Sequence, residues 1–509
     1  MGQGTKAIMF LGTGSDVGKS IVATALCRIF KRRGLRVAPF KAQNMSNNSF
    51  VTAEGGEIGR AQVVQAEAAG VLPSVHMNPV LLKPSGSGSS QVVLHGRVAT
   101  ELSAMEYHHY KPRLKHAVMA SYKRLAEQYQ VIVMEGAGSC CEMNLKENDL
   151  VNFQMALAVG APCILVADID RGGVFAQIIG SYHLMEKRER ELLQGFIINK
   201  FRGDPRLFES GIRYIEEKTG KPVLGLVPYY EHIHIDPEDS VALQPDKRPY
   251  KFPQPNAVNV AVVRLPSISN FTDLEILERE TDVVLNYLSR PSELSRHYDM
   301  LILPGTKNVM NDARWMAKRG WKGAIKEFAR SEKFVLGICG GYQLLGQEVV
   351  DPYGVEAEPG ARVKGLGLLA VRTVLDRDKI VRKVIGKTID SSIRVKGYEI
   401  HMGRTRACKE QGQPFARIHE PGGKEKWEEG WLSENGRILG TYIHGVLDSP
   451  GFRAWLLNLI REEKGLEPKK ARPGRLSRFK DYDKLADHFE RYCDVERIIG
   501  FMGLEPVEK

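Results

Sequence analysis

Short apolar runs alternate with longer segments of helical periodicity along most of the chain. The first set of runs falls at residues 8–11, 35–40, 131–134, 162–167, 195–200 and 222–228, and the second at 258–263, 299–303 and 334–338. Strands that are apolar on both faces and alternate with helices are typical of parallel sheets covered by helices. The pattern therefore predicts an α/β protein with two parallel-sheet domains.

A proline-rich segment separates the two sets of runs. Residues 244–257 contain four prolines and few core-type side chains, which indicates a linker. The linker divides the chain into a first domain over 1–243, a second domain over 258–460, and a C-terminal connector and helix over 461–509.

Two further segments are predicted to be helical. Residues 57–83 form one of them. The other runs from Asp481 to Met502, where apolar side chains recur at helical spacing. We expect this C-terminal helix to pack on the body of the protein, and it carries no recognisable chemical motif.

The first apolar run leads into a loop and then a helix. The loop consists of Gly12, Thr13, Gly14, Ser15, Asp16, Val17, Gly18, Lys19 and Ser20. Glycines let backbone N–H groups turn toward an anion, and the helix N-terminus adds its positive dipole end, so this arrangement predicts an ATP phosphate site. We expect Lys19 to reach the β- and γ-phosphates and Ser20 to bind Mg²⁺. The spacing departs from the common pattern, because Thr13 holds the place of the first glycine and Gly12 lies one position early.

Acidic and amide side chains follow other predicted strands. Glu135 ends the run at 131–134, and we expect it or Asp16 to join Ser20 in holding Mg²⁺; a capping carboxylate is the alternative role for Glu135. Asn199 ends another run and is expected to contact the nucleotide base. Arg202 stands where guanine-binding proteins carry an Asp, so no guanine site is predicted.

A run of polar residues follows the strand predicted over 35–40. Lys41, Gln43, Asn44 and Ser46 lie in it, at the edge of the sheet where ligands of open parallel sheets bind. We expect these four side chains to contact substrate carboxylates, amides or phosphate. A solvated loop built on Asn and Ser turns is the alternative.

The run at 334–338 ends in a sharp, glycine-flanked turn with Cys339 at its apex, and a helix is predicted directly after it. This is the geometry of a nucleophile elbow, with Cys in place of Ser. The helix N-terminus favours the thiolate. The backbone N–H groups of Gly340 and Gly305 are expected to form an oxyanion hole, in which one donor stabilises the transition state by about 3–4 kcal/mol.

A cysteine nucleophile needs a base, and two histidines follow predicted strands downstream. We choose His444, because a strand runs directly into it. His401 is assigned to the substrate side or to a structural role.

Bulk properties exclude several classes. The 509 residues contain no run of about 18 apolar residues and no apolar segment behind a basic N-terminus, so neither a membrane span nor a signal peptide is predicted. Seven scattered cysteines without a CxxC pair indicate a reducing cytoplasm.

The net charge of +11 suits an anionic small molecule, and aromatic residues are not interleaved with basic ones as in nucleic-acid binders. Whether the chain forms a homo-oligomer is left open.

Gly337–Gln343 resembles the cysteine turn of class I glutamine amidotransferases. The resemblance implies that Cys339 attacks the side-chain amide of glutamine and that ammonia leaves from a thioester. The usual third member of that family's triad is a Glu two residues after the His. That position holds Val446 here, and Asp448 is out of register, so the orienting acid is left open.

The phosphate loop resembles that of dethiobiotin synthetase, and its fusion to a glutaminase resembles the cobyrinate-amidating enzymes of cobalamin biosynthesis. That second resemblance rests on Phe40–Ser49, Asn78–Pro84, Ala167–Phe175 and Gly397–His401. It implies that residues 1–243 activate a carboxylate with ATP and Mg²⁺, and that residues 258–460 supply nitrogen from glutamine. The implied reaction amidates the b, d, e and g carboxylates of adenosylcobyrinic acid a,c-diamide, a corrinoid polycarboxylate. Two alternatives stay open: amidation of the a and c carboxylates, and a scaffold or partitioning ATPase with an inactive amidotransferase-like domain.

Overall fold

The computed structural model describes residues 4–85, 88–230, 232–238, 243 and 248–504, with the side chains of 474–477 excepted. The first domain is built on a six-stranded parallel sheet in the order β12-β11-β10-β1-β9-β2. A four-stranded sheet (β3-β6-β7-β8) and the hairpin β4–β5 are added beside it. The strands are β1 (Lys6–Gly12), β2 (Val37–Phe40), β3 (Gln43–Met45), β4 (Ser49–Val51), β5 (Glu57–Gly59), β6 (Val80–Pro84), β7 (Ser89–Leu94), β8 (Arg97–Ser103), β9 (Val131–Glu135), β10 (Cys163–Asp168), β11 (Leu193–Phe201) and β12 (Val223–Pro228).

The described residues of this domain contain seven α-helices: α1 (Lys19–Arg32), α2 (Arg60–Ala69), α3 (Ala104–Ala126), α4 (Phe153–Val159), α5 (Val174–Leu184), α6 (Lys187–Leu192) and α7 (Glu209–Thr219). The single helix predicted over 57–83 is wrong, because only α2 is α-helical there. Gly70 caps α2 in the left-handed conformation, with φ of 70°, and the chain then enters a 3₁₀ turn and β6.

The second domain also has a central parallel sheet, in the order β14-β13-β15-β16-β24-β23, in which only the β23–β24 pair is antiparallel. A further sheet, β18-β17-β19-β21-β22, carries the long antiparallel pair β19–β20. The strands are β13 (Val258–Val263), β14 (Val283–Leu288), β15 (Met300–Leu303), β16 (Phe334–Ile338), β17 (Glu348–Asp351), β18 (Ala361–Lys364), β19 (Val371–Thr388), β20 (Arg394–Ala407), β21 (Ala416–His419), β22 (Trp427–Glu429), β23 (Trp431–Leu432) and β24 (Ile438–Thr441). The helices from here to the end of the described chain are α8 (Glu275–Glu278), α9 (Val309–Lys318), α10 (Trp321–Arg330), α11 (Gly340–Leu345), α12 (Pro450–Glu463), α13 (Gly474–Tyr492) and α14 (Val495–Phe501).

The C-terminal helices return to the first domain. Leu485 and Phe489 of α13 are fully buried in one hydrophobic cluster with α1 and the strands β1 and β9. Arg28 of α1 forms an ion pair with Asp483 at 2.8 Å. The backbone of Cys493 forms an isolated antiparallel β-bridge with Gly225 of β12. Two helices stand where the periodicity predicts one, because the chain is extended at Cys493 between them.

The predicted linker lies partly within the described residues. Positions 248–257 contain neither helix nor strand, whereas positions 244–247 lie outside the described part of the chain. Arg248 ties this segment to the second domain through ion pairs with Glu275 and Glu278. None of the helices in the described part of the chain is both long and apolar enough to cross a membrane.

The hairpin β4–β5 of the first domain contacts the second domain beside β20. The Ser49 N–H donates to Asn270 Oδ1 at 2.9 Å, and the Tyr398 hydroxyl donates to the Ser49 carbonyl at 3.1 Å. Phe50 packs edge-on against Tyr398, with ring centroids 4.8 Å apart. The two domains are therefore joined through hydrogen bonds as well as apolar contact.

Candidate active sites

Cys339 lies at the turn between β16 and α11, in a backbone conformation (φ 53°, ψ −109°) that non-glycine residues rarely adopt. The following glycines permit the turn. A Cβ on Gly341 would lie 1.9 Å from the Leu303 carbonyl oxygen, and one on Gly340 would lie 2.4 Å from the Thr306 Cγ2. The cysteine is buried, and its sulfur faces the Ile400 carbonyl at 3.5 Å.

His444 follows β24 and reaches the same pocket. It lines that pocket together with Cys339, and the two side chains interact electrostatically. Its Nδ1 lies 2.7 Å from Oδ2 of Asp273. Burial lowers the pKa of His444, but the charges of Asp273 and Cys339 and the hydrogen bond to Asp273 outweigh burial and raise it to about 10.

Asp273 is therefore the acid that orients His444, which sequence reasoning left open. Its second oxygen accepts the Gly445 N–H at 3.0 Å, so both oxygens hold the histidine segment. Val446, at the family's usual Glu position, is fully buried, and Asp448 pairs with Arg478 at 3.1 Å. Asp273 sits in a 3₁₀ turn preceded by Asn270 in the left-handed conformation, and no short motif marks it in the sequence.

The two residues predicted for the oxyanion hole flank this pair. Gly340 lies against Thr306, and a Cβ on Gly305 would lie 3.2 Å from Cε1 of His444. The contacts agree with a role in the pocket, and the oxyanion assignment stays a prediction. His401 has other partners. Its Nδ1 is hydrogen-bonded to the Gly403 carbonyl at 2.8 Å, and its ring stacks on that of Tyr442 with the centroids 3.7 Å apart.

The phosphate loop adopts a compact form around Lys19. The Lys19 ammonium donates to the carbonyls of Gly14 at 2.8 Å and Gly138 at 2.9 Å. Gly12 is needed for this fold, because a Cβ there would lie 2.7 Å from Nζ of Lys19. Burial, aided by the charge of Lys41, lowers the pKa of Lys19 to about 8.

Asn199 holds the loop rather than projecting beyond it. Its Nδ2 donates to the Val17 carbonyl at 3.0 Å, and a Cβ on Gly18, which has φ of 102°, would lie 2.1 Å from that nitrogen. Gly18 is therefore required both for its conformation and for this close approach. Thr13 bonds Gln177 at 3.1 Å, which ties the loop to α5.

Oxygen donors converge beside the loop. Ser20 Oγ lies 2.7 Å from Glu135 and 3.0 Å from Glu238, so its single proton can be donated to either carboxylate. Lys41 pairs with both carboxylates, at 2.9 and 2.7 Å. Glu238 escaped sequence analysis because it lies in an irregular segment without a motif. The structure thus brings Ser20 together with Glu135. The Asp16 carboxylate pairs with Arg171 at 2.9 Å near the surface, and its assignment to Mg²⁺ stays a prediction.

The predicted substrate residues divide between two environments. Lys41, Gln43 and Asn44 border a cavity of about 400 Å³ that Lys19 and Glu238 also line. Ser46 instead donates to the Glu238 carbonyl at 2.8 Å and holds that segment in place. Asn44 is almost fully buried, with its Nδ2 on Gln62 at 3.0 Å, and Gln43 accepts from Tyr107 at 2.7 Å.

Comparisons with known proteins cover nearly the whole chain. Residues 8–241 match the model of the CobQ/CobB/MinD/ParA nucleotide binding domain, and residues 259–452 match that of the CobB/CobQ-like glutamine amidotransferase domain. A cobyric acid synthase of Syntrophobacter fumaroxidans is 47% identical over 98% of this chain and 99% of its own, and one of Chlorobaculum tepidum is 48% identical over 98% of both. A solved glutamine amidotransferase aligns with 41% of this chain and 99% of its own at 16% identity, with a TM-score of 0.29, which is too low to carry weight. The chain belongs to the cobyric acid synthase family.

Proposed function

We propose that this chain is an ATP- and glutamine-dependent amidoligase that converts adenosylcobyrinic acid a,c-diamide to adenosylcobyric acid by amidating its b, d, e and g carboxylates. The observation that carries the proposal is the Cys339–His444–Asp273 arrangement in the same chain as a phosphate loop whose Lys19 lines a cavity. Relatives that are 47–48% identical over 98% of the chain are cobyric acid synthases, which supports the corrinoid acceptor.

The glutaminase half-reaction follows from the second domain. The Cys339 thiolate attacks the side-chain amide carbon of glutamine, and the developing oxyanion is held by the N–H groups of Gly340 and Gly305. The His444 imidazolium gives its proton to the departing nitrogen, which leaves as ammonia. His444 then takes a proton from water, whose oxygen cleaves the thioester to glutamate and restores the thiolate. Asp273 holds the imidazole in the orientation that both steps need.

The activating half-reaction belongs to the first domain. ATP, held with Mg²⁺, supplies the phosphoryl group that makes a carboxylate susceptible to attack by ammonia. The loop Gly12–Ser20 offers its N–H groups and the Lys19 ammonium to the phosphates, while Asn199 fixes the loop from behind. Residues Thr13, Gly14, Ser15, Asp16, Val17 and Gly18 make up the rest of this cradle.

The residues beside the loop fit a hard divalent cation. Such ions prefer oxygen ligands, and the Ser20 hydroxyl and Glu135 carboxylate already lie 2.7 Å apart. Within the described residues no group of three His, Cys, Asp or Glu side chains is arranged for a metal. We assign Ser20 and Glu135 to Mg²⁺ and assign Asp16 to the loop.

The acceptor carboxylates enter the cavity beside Lys19. Lys41, Gln43 and Asn44 present a cation and two amides along its wall, with Ser46 supporting them from behind. The net charge of +11 suits a polycarboxylate acceptor through long-range attraction. We place activation in residues 1–243 and glutamine hydrolysis in 258–460, joined by 244–257. Residues 461–509 supply a connector and the C-terminal helices, and we place the protein in the cytoplasm.

The experiment measures product mass after the purified chain is incubated with the a,c-diamide, ATP, Mg²⁺ and glutamine. We expect four added amides, and Cys339→Ala to lose glutamine-driven but keep ammonium-driven amidation. Unchanged mass with the a,c-diamide, together with amidation of cobyrinic acid, would instead indicate the a and c carboxylates. Absence of glutamate release together with tight, salt-sensitive DNA binding would indicate the scaffold ATPase.

A further inference from the structure

Three lysines line the pocket that contains Cys339 and His444: Lys83 from the first domain, and Lys307 and Lys379 from the second. Two of them share one buried carboxylate. Glu57 pairs with Lys83 and with Lys379, each at 2.5 Å. Lys83 also bonds Ser49 Oγ at 2.9 Å, and Lys379 bonds Gln91 at 3.2 Å. These two ammonium groups therefore have their partners within the protein.

Lys307 differs from the other two. Its backbone N–H donates to the Ser267 carbonyl at 2.8 Å, which fixes its position directly after the Gly305–Thr306 turn. Within the described part of the chain, its ammonium group has neither an ion pair nor a hydrogen bond. Burial and the nearby charge of Lys83 lower the pKa of Lys307, while Glu356 opposes the shift. An ammonium held in a pocket without a partner is costly unless a ligand completes it.

Glu356 lines the same pocket and carries the opposite charge. Its carboxylate accepts the Met310 N–H at 3.2 Å, and its backbone carbonyl accepts from Asn308 at 3.1 Å. The Glu356 N–H in turn donates to Asp351 Oδ2 at 2.7 Å. Glu356 is thus held rigidly on the wall, and burial raises its pKa to about 7 while the charge of Lys307 opposes that rise.

We propose that Lys307 binds the α-carboxylate, and Glu356 the α-ammonium, of the glutamine whose side-chain amide Cys339 attacks. Free glutamine is a zwitterion, and a pocket with one unpaired cation and one carboxylate matches its two charges. An amide without those groups, such as an asparagine or glutamine side chain within a protein, would leave both residues unpaired. The pair therefore selects the free amino acid. This inference rests on the proposed glutaminase activity.

The test combines two variants with two glutamine analogues, with glutaminase activity as the measurement. 4-Aminobutanamide lacks the α-carboxylate, and 4-carbamoylbutanoate lacks the α-amino group. Lys307→Met is expected to raise KM for glutamine and for 4-carbamoylbutanoate about 10- to 100-fold, because a charge-assisted contact is lost, and to leave 4-aminobutanamide unaffected. Glu356→Gln is expected to raise KM for glutamine and for 4-aminobutanamide, and to leave 4-carbamoylbutanoate unaffected. Lys318→Met, on the exposed end of α9, is the matched control.

Several outcomes overturn the proposal. An unchanged KM for glutamine in Lys307→Met would show that Lys307 does not bind the α-carboxylate. An equal loss of glutaminase activity with all three amides would indicate a structural role. A loss of ammonium-driven amidation in either variant places the residue in carboxylate activation instead. The proposed function fails in a separate way, through the absence of Cys339-dependent glutamate release from the unmodified chain.

Discussion

The Nδ1 of His444 lies 2.7 Å from Oδ2 of Asp273, a residue 171 positions earlier in the chain. Replacing Asp273 with Asn would keep the shape but remove the charge that stabilises the imidazolium. We expect the kcat of glutamine hydrolysis to fall about 10³-fold or more, with ammonium-driven amidation retained. Asp448→Asn is the matched control, because Asp448 pairs with Arg478 and not with the histidine. Equal losses in the two variants would exclude the orienting role.

The same contact makes a prediction about pH. The pKa of His444 is raised to about 10, so the imidazolium holds its proton below that pH and loses it above. Glutaminase kcat should therefore fall as pH rises through about 10, since the departing nitrogen then lacks its proton donor. In Asp273→Asn the fall should move to lower pH. A profile that is the same in both proteins would contradict this assignment.

Gly18 offers a test of the phosphate loop. Gly18→Ala would place a Cβ 2.1 Å from Asn199 Nδ2, in a backbone conformation with φ of 102°. We expect ATP affinity, measured by calorimetry, to fall at least tenfold, while glutamine hydrolysis at Cys339 persists. Gly180→Ala is the control, because no atom lies within 4 Å of the added Cβ and its φ is not positive. Normal ATP affinity in Gly18→Ala would contradict the loop geometry.

The C-terminal helices are expected to stabilise the first domain. Phe489 is fully buried against α1, so Phe489→Ala should lower the free energy of unfolding by about 3–5 kcal/mol, measured with urea. Lys484→Ala, on the exposed face of the same helix, should change it by less than about 0.5 kcal/mol. If only the transition of the second domain shifted, the assignment of α13 to the first domain would be wrong.

Sequence reasoning succeeded where the signal is local. The apolar runs predicted the two parallel sheets, because strands buried on both faces carry a continuous apolar stretch. Cys339 was found since its glycines and the following helix lie within a few residues of it. The helix predicted around α2 was too long, because α2 ends at a single left-handed residue, Gly70, within a long helical pattern.

The residues that were missed share a physical reason. Asp273 and Glu238 reach their partners from irregular segments, and hydrogen bonds across 171 and 218 positions leave no periodic trace. The pairing of Asp16 with Arg171, 155 positions away, was not predicted for the same reason. Proximity of this kind is created by the fold and not by spacing along the chain.

The return of α13 and α14 to α1 has a consequence for how the protein is made. A ribosome delivers these helices only after the whole amidotransferase domain has emerged, so the nucleotide-binding domain cannot finish its hydrophobic core until then. A product that ends before α13 would expose the face of α1 that Phe489 covers, and exposed apolar surface of this kind favours aggregation.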